Sequence, residues 1–114
     1  MVVLEYNSIF GPDRAVTIPY DPQFNRGDHR FIYYGASLSA LTKLSARKGY
    51  RLVAVEPAGV NAFFLRHDVG PDIPACEPRR AFRLLEKYDL LMKEKQADVF
   101  AWAKETGRTL VEVE

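Results

Sequence analysis

Six polar side chains stand where apolar runs end, between two prolines that stiffen a loop, or beside a glycine at the start of a helix or strand. Glu5 and Asn7 follow the apolar run at residues 2–4. In an open α/β sheet, ligands bind at the C-terminal ends of parallel strands, and helix N-termini favour anions. Carboxylates, amides and phenols at such positions would form the polar lining of a ligand site. The candidate ligand-facing residues are Glu5, Asn7, Tyr20, Asp21, Tyr34 and Asn61.

Some polar residues at these positions have structural alternatives. Glu5 can equally be held by backbone N–H groups of the following loop, because a carboxylate beside a buried strand needs partners in either role. Asn61 begins a strand after Gly59, where capping the turn is an ordinary role for asparagine. Ser37 lies in Gly-Ala-Ser-Leu-Ser, which lacks the second glycine of a nucleophile elbow, and it predicts a helix N-cap instead.

Several other chemistries are excluded by the motifs that the sequence lacks. There is no Walker loop and no G-x-G-x-x-G after a strand. His29 and His67 have no cysteine or carboxylate near them at metal-ligand spacing, so no metal site is predicted. Cys76, the single cysteine, is predicted to be a spectator and excludes an internal disulfide. No catalytic residue is assigned.

Composition indicates one small folded domain. The chain has 114 residues, of which 47% are hydrophobic, as in globular proteins. The formal net charge of +1 argues against a general nucleic-acid binder. No apolar run approaches the roughly 20 residues of a membrane span, and the N-terminus does not resemble a signal peptide. We therefore expect a cytoplasmic protein without nucleic-acid or membrane partners.

The first 69 residues are predicted to form an α/β unit. The run at residues 2–4 is typical of a strand buried on both faces, as in the middle of a parallel sheet, and such a strand needs neighbours. A long loop follows, with residues 15–18 as a short extended piece. Leucine spacing, Ser37 and a terminal Gly49 predict a helix over residues 37–48. Strands at 50–55 and 61–66 are joined by a short turn, which favours an antiparallel pair.

Residues 70–114 are predicted to be an amphipathic helical region. Pro78 suits the first turn of a helix. A polar interruption at residues 93–96 leaves two possibilities, two helices or one rod of about 44 Å at 1.5 Å per residue. Residues 109–113 are compatible with a last strand. The apolar stripe comprises Ala81, Leu85, Tyr88, Met92, Val99 and Ala103, widened by Phe82, Leu84, Leu91, Phe100 and Trp102.

Five motifs occur in a characteristic order between residues 2 and 68. They are Glu5-Tyr6-Asn7, Pro19-Tyr20-Asp21-Pro22 with Phe24, Tyr34-Gly35-Ala36-Ser37-Leu38 with Ala40-Leu41, Gly49-Tyr50 with Leu52-Val53, and Gly59-Val60-Asn61-Ala62-Phe63-Phe64. Together they resemble the C-terminal half of a bacterial group related to the FkbM-type S-adenosylmethionine-dependent methyltransferases. The resemblance covers over half of the chain and is less specific after residue 70.

The resemblance implies a fold and the absence of a cofactor site. Those Rossmann-like enzymes end with a fifth strand, a helix, a sixth strand and an antiparallel seventh strand. The resemblance implies that the same four elements lie here, in that order, at residues 2–6, 37–48, 50–55 and 61–66. We therefore expect the C-terminal part of such a sheet, with three to four strands. The family's glycine-rich turn and acidic cofactor residue precede residue 1, so no cofactor-binding residue is carried over. S-adenosylmethionine is implied only for the full-length family.

Three functions are compatible with this resemblance. In the first, the chain is a methyltransferase-related partial domain that another chain or dimerisation completes. In the second, it is a free-standing binding or assembly module. In the third, it supplies a substrate-side loop to a partner's active site. The substrate is unknown. Because the strand at 2–6 and the C-terminal stripe present more apolar surface than one small sheet covers, we expect a homodimer with Phe100 or Trp102 in or near the contact.

Overall fold

Two antiparallel sheets and three α-helices make up the computed structural model, which describes residues 1–30, 32–85 and 98–114. The larger sheet has the strand order β1-β4-β3, and β2 pairs with β5 in a second, two-stranded sheet. Short 3₁₀ turns follow β1 and precede α1. The elements are β1 (Val2–Glu5), β2 (Val16–Thr17), α1 (Leu38–Arg47), β3 (Tyr50–Val55), β4 (Asn61–Arg66), α2 (Pro78–Ala81), α3 (Val99–Glu105) and β5 (Val111–Glu112).

Strand β4 lies between β1 and β3 and is antiparallel to both. Leu4 pairs with Ala62, and Leu52 pairs with Phe64, so alternate residues of all three strands bury one face of the sheet. Because β1 and β3 both oppose β4, they run parallel to each other, and α1 lies between them in the chain. The predicted antiparallel pairing of residues 50–55 with 61–66 is confirmed.

The prediction that the first strand is buried on both faces is wrong for the described chain. Burial alternates along β1, and the Val3 side chain is 47% exposed. Within the described ranges, β1 pairs only with β4 and forms an edge of the sheet. A run of three apolar residues has no polar position to mark an exposed face, so the sequence alone could not distinguish an edge strand from a central one.

Helix α1 has the predicted start and end. The Ser37 hydroxyl oxygen accepts a hydrogen bond from the backbone N–H of Ala40 at 3.1 Å, as an N-cap does. The same oxygen accepts from the N–H of Val16 at 3.0 Å, which ties β2 to the start of the helix. Gly49, with a φ of +85°, follows the helix in the left-handed region. The N-cap role of Ser37 is confirmed.

Two larger groups of buried side chains and a small group of alanines, Ala15, Ala36 and Ala40, form the core. The sheet cluster lies on the covered face of the three-stranded sheet, and the loop cluster joins the segment after β1 to β2 and α3. The sheet cluster contains Tyr6, Leu38, Leu52, Ala62 and Phe64. The loop cluster contains Ile9, Phe10, Val16, Ile32 and Val99, with Phe100 and Trp102 packed against it.

Of the two possibilities for the region after Pro78, the single rod is wrong, because α2 ends at Ala81. Phe82 has an extended ψ of 136°, and residues 82–85 continue outside any helix. Ala81 and Phe82 pack on the sheet cluster, whereas Leu84 and Leu85 pack on the loop cluster. The apolar residues that suggested a helical stripe thus bridge two cores in extended form. The predictions for Tyr88, Leu91, Met92 and residues 93–96 lie outside the described residues.

The turn between β3 and β4 touches the backbone of the segment at residues 83–85. A Cβ added to Gly59 would lie 2.7 Å from the carbonyl oxygen of Arg83 and 2.8 Å from the amide nitrogen of Leu85. Gly59 also has a φ of +78°, which only glycine adopts readily. The extended course of the chain over this turn therefore requires glycine at position 59.

Gly59→Ala should destabilise the fold by more than a positive φ alone explains. The control is Gly107→Ala, since Gly107 has a φ of +72° and open space around it. We expect the control to lower the free energy of unfolding by about 1–2 kcal/mol. Contact with the Arg83–Leu85 backbone should add about 1–3 kcal/mol for Gly59→Ala. Urea unfolding measures both, and equal losses would contradict the contact.

Candidate functional site

A cleft of about 480 Å³ opens in the loop that leads from β2 to α1. We call it the loop cleft. Its volume lies in the range of small-molecule sites. Residues 17–19 and Gly35 form one part of its lining. The charged and aromatic lining residues are Tyr20, Asp21, Phe24, Arg26 and Tyr34.

Short-range hydrogen bonds give this loop its conformation. A carboxylate oxygen of Asp21 accepts from the N–H of Gln23 at 2.9 Å, and the Asn25 side chain accepts from the N–H of Gly27 at 2.8 Å. Both are Asx turns, which hold the backbone in tight bends. The same Asn25 hydrogen bond caps the 3₁₀ turn Arg26–His29. The residues around the cleft are therefore fixed by the loop's own side chains.

Arg26 places a cation between the loop cleft and the end of β1. Its guanidinium lies 4.1 Å from the centroid of the Tyr34 ring, and Nη2 is 3.7 Å from Oε2 of Glu5. Both charged side chains are more than half exposed, so this ion pair contributes at most about 1 kcal/mol. The ion pair instead positions the Glu5 carboxylate, at the end of β1, towards the loop cleft.

Three of the six predicted site residues line the loop cleft. Tyr20 is 91% exposed, and Asp21 is exposed beside it. Tyr34 is half-buried and also packs against the loop cluster. The structure brings these three residues together on one surface, and Tyr34 has a structural contribution as well.

Glu5 and Asn61 lie side by side rather than in the cleft. They face each other as the last paired residues of β1 and β4. Glu5 reaches the cleft only through Arg26. The backbone N–H of Asn61 donates to a carboxylate oxygen of Glu56 at 2.9 Å, so the turn before β4 is held by Glu56 and not by the asparagine side chain.

Asn7 is a structural residue and not a ligand-facing one. It is fully buried, and its side-chain nitrogen donates to the carbonyl oxygens of Ile32 and Tyr34 at 2.9 and 3.1 Å. Its side-chain oxygen accepts from the N–H of Ile9 at 3.1 Å and caps the 3₁₀ turn after β1. The ligand-facing prediction for Asn7 is therefore wrong, because the protein itself uses the whole amide.

The sequence did not identify Arg26 or Phe24 as site residues. Phe24 lines the loop cleft and stacks on His29 with ring centroids 4.8 Å apart. His29 Nδ1 in turn accepts a hydrogen bond from Nε of Arg108 at 2.9 Å, and the Arg108 guanidinium lies 4.3 Å from the centroid of the Trp102 ring. We call this series the ladder. Only the tertiary fold brings its members together, so no local motif marks them.

Two buried phenols outside the cleft have raised pKa values. Burial raises the pKa of Tyr6, against a smaller opposing effect of its hydrogen bond to Arg83. Burial also raises the pKa of Tyr33, whose hydroxyl donates to the carbonyl oxygen of Thr109. Each phenol is held protonated by its surroundings and serves as a hydrogen-bond donor to backbone.

The chemistry available at the loop cleft is ligand binding through Arg26, Asp21 and aromatic surface.

Other candidate chemistries find no support in the described ranges. No group of three or more His, Cys, Asp or Glu side chains there could hold a metal ion. The Cys76 thiol is partly buried and donates to the carbonyl oxygen of Val53 at 3.1 Å. Among the helices described, none has the length and apolarity needed to cross a bilayer.

Comparison with known proteins gives no relative. The chain matches no protein-family model, no curated protein and no solved structure.

Substituting Asn7 and Asp21 distinguishes structural from surface roles. Asn7→Ala leaves the N–H of Ile9 and two carbonyl groups without their partner, and we expect a loss of about 2–4 kcal/mol in the free energy of unfolding. Asp21→Ala removes one exposed turn contact and should cost about 0.5 kcal/mol. Thermal and urea unfolding of both variants check this. A stable Asn7→Ala protein would show that the asparagine is not structural.

Proposed function

We propose that the chain is a methyltransferase-related partial α/β domain that contributes a substrate-binding surface, the loop cleft, and does not by itself hold a cofactor. One observation carries this proposal. The loop cleft lies beside the C-terminal end of β1, linked to it by the Arg26–Glu5 pair. That end of a strand is where open α/β sheets bind their ligands.

The order of the elements supports the finer assignment to a Rossmann-like methyltransferase sheet. Strand β1, helix α1, strand β3 and the antiparallel strand β4 follow one another as the resemblance implies. The parallel relation of β1 and β3 is the further point of agreement, since crossover through a helix is how parallel strands are joined. The proposal adds that further strands, from another chain or from a longer form of this one, continue the sheet at β1.

The lining of the loop cleft suits a substrate rather than S-adenosylmethionine. Arg26 can pair with an anionic group, and Asp21 offers its second carboxylate oxygen as an acceptor. Tyr20 and Tyr34 supply aromatic surface. The sequence contains no glycine-rich turn to cradle the cofactor. S-adenosylmethionine would therefore have to be held by the completing part of the sheet.

Titration calorimetry with S-adenosylmethionine tests the proposal. The chain alone should give no saturable heat at cofactor concentrations up to about 1 mM, a limit that corresponds to about −4 kcal/mol of binding free energy. A cooperative thermal unfolding transition in the same preparation serves as the control for a folded protein. Micromolar binding to the chain alone would contradict the proposal, because the site would then be complete without further strands.

The open edge of β1 favours a second candidate, a module that assembles with its own copy. The N–H of Tyr6 donates towards β4, to the carbonyl oxygen of Val60. Because backbone groups alternate along a strand, those of Val3 and Glu5 point away from β4. Val3 is also 47% exposed, and an exposed apolar position on a strand edge can pair with another strand. Phe100 and Trp102 are half-buried against the loop cluster, so their place in a dimer contact stays a prediction.

Light scattering with Val3 variants tests this assembly. We expect the wild-type chain at micromolar concentration to have twice its mass of 13.0 kDa. Val3→Pro removes an N–H that points away from β4, and Val3→Lys adds an edge charge, so each should give a monomer. Val69→Lys, at a valine 43% exposed in the turn after β4, is the control and should remain dimeric. A wild-type mass of 13.0 kDa would contradict the dimer.

A further inference from the structure

A second cleft, of about 430 Å³, lies between α3 and the segment that leads to β5. We call it the basic cleft. Residue 14 and residues 98–110 contribute to its lining, so it is distinct from the loop cleft at residues 17–35. Its charged and larger apolar lining residues are Arg14, Lys104, Arg108, Asp98, Phe100 and Leu110.

Both arginines of the basic cleft are held in place by the protein. The Arg14 guanidinium lies 4.3 Å from the centroid of the Phe100 ring and forms an ion pair with Glu112. Arg108 donates from Nε to His29 and from Nη2 to the carbonyl oxygen of Asp28 at 3.0 Å, and it stacks on Trp102. Guanidinium groups that are already ordered lose less conformational entropy when they bind an anion.

Two cations of the basic cleft remain available to a ligand. In the described parts of the chain, Arg108 Nη1 has no hydrogen-bond partner and Lys104 has no ion-pair partner. Arg14 is paired with Glu112. Asp98 is the one carboxylate among the lining residues, and its Oδ1 accepts from the N–H of Phe100 as the cap of α3. The available charge is therefore positive.

We infer that the basic cleft binds a small phosphate monoester with an apolar body. A phosphate monoester carries nearly two negative charges at neutral pH, which suits the guanidinium of Arg108 together with the ammonium of Lys104. Phe100, Leu110 and two alanines of α3 form the apolar part of the same lining. This inference rests on the basic cleft alone and is independent of the function proposed for the loop cleft.

Phenyl phosphate is the probe that tests this site, measured by calorimetry at low ionic strength. We expect saturable binding with a dissociation constant at or below about 1 mM. Lys104→Gln should weaken the binding at least about threefold, since an exposed charge pair contributes that order of affinity. Lys48→Gln is the matched control. It makes the same change of charge at an exposed lysine that ends α1, and it should bind as the wild-type chain does.

Trp102, the single tryptophan, reports where the probe binds. Because the Arg108 guanidinium lies over its ring, phenyl phosphate at Arg108 should change the tryptophan fluorescence with the same concentration dependence as the heat. Three results would overturn the inference. They are no saturable binding up to about 10 mM probe, equal weakening by Lys104→Gln and Lys48→Gln, or inorganic phosphate binding as tightly as phenyl phosphate, which would exclude a contribution from the apolar lining.

Discussion

The side chains of three consecutive residues after β1 hold the distant parts of this structure together. The Tyr6 hydroxyl donates to the carbonyl oxygen of Arg83 at 2.6 Å and accepts from the N–H of the same residue. Asn7 binds the backbone before α1, and the Ser8 hydroxyl accepts from the N–H of Leu85 at 2.9 Å. All three residues are nearly inaccessible to solvent, where each hydrogen bond avoids the cost of a bare polar group. These buried polar contacts join residues 83–85 and the segment before α1 to the end of β1.

These contacts explain why a long loop builds a core instead of remaining on the surface. Once the segment after β1 is fixed, Ile9 and Phe10 face Val16 and Val99 and form the loop cluster. No buried side-chain nitrogen or oxygen in the described ranges lacks a partner. A loop of this length would otherwise expose much of its backbone to water and lose its conformation. Tyr34, which lines the loop cleft, is therefore held by contacts that also stabilise the fold.

Local signals in the sequence identified helix α1, its Ser37 cap and the β3–β4 pair, because each depends on neighbours close in the chain. The roles of Asn7 and Arg26 could not be predicted, since their partners lie about 25 residues away or on another element. The helical prediction for residues 82–85 is wrong for a related reason. Their apolar spacing suits a helix, but the backbone contacts with Tyr6, Ser8 and the turn at Gly59 compete with helical hydrogen bonds and prevail.

The two clefts share a scaffold, and yet one can be filled without the other. Phe24 lines the loop cleft, Arg108 lines the basic cleft, and His29 lies between them in the ladder. A ligand that took Nε or Nη2 of Arg108 would have to break the contacts with His29 and Asp28 and would disturb the support of Phe24. A ligand that uses Nη1 leaves both contacts intact. Energetic coupling between two sites needs a structural element that can adopt two arrangements. A ladder that keeps all its contacts has only one arrangement. A ligand bound at Nη1 in the basic cleft is therefore expected to leave the geometry of the loop cleft unchanged.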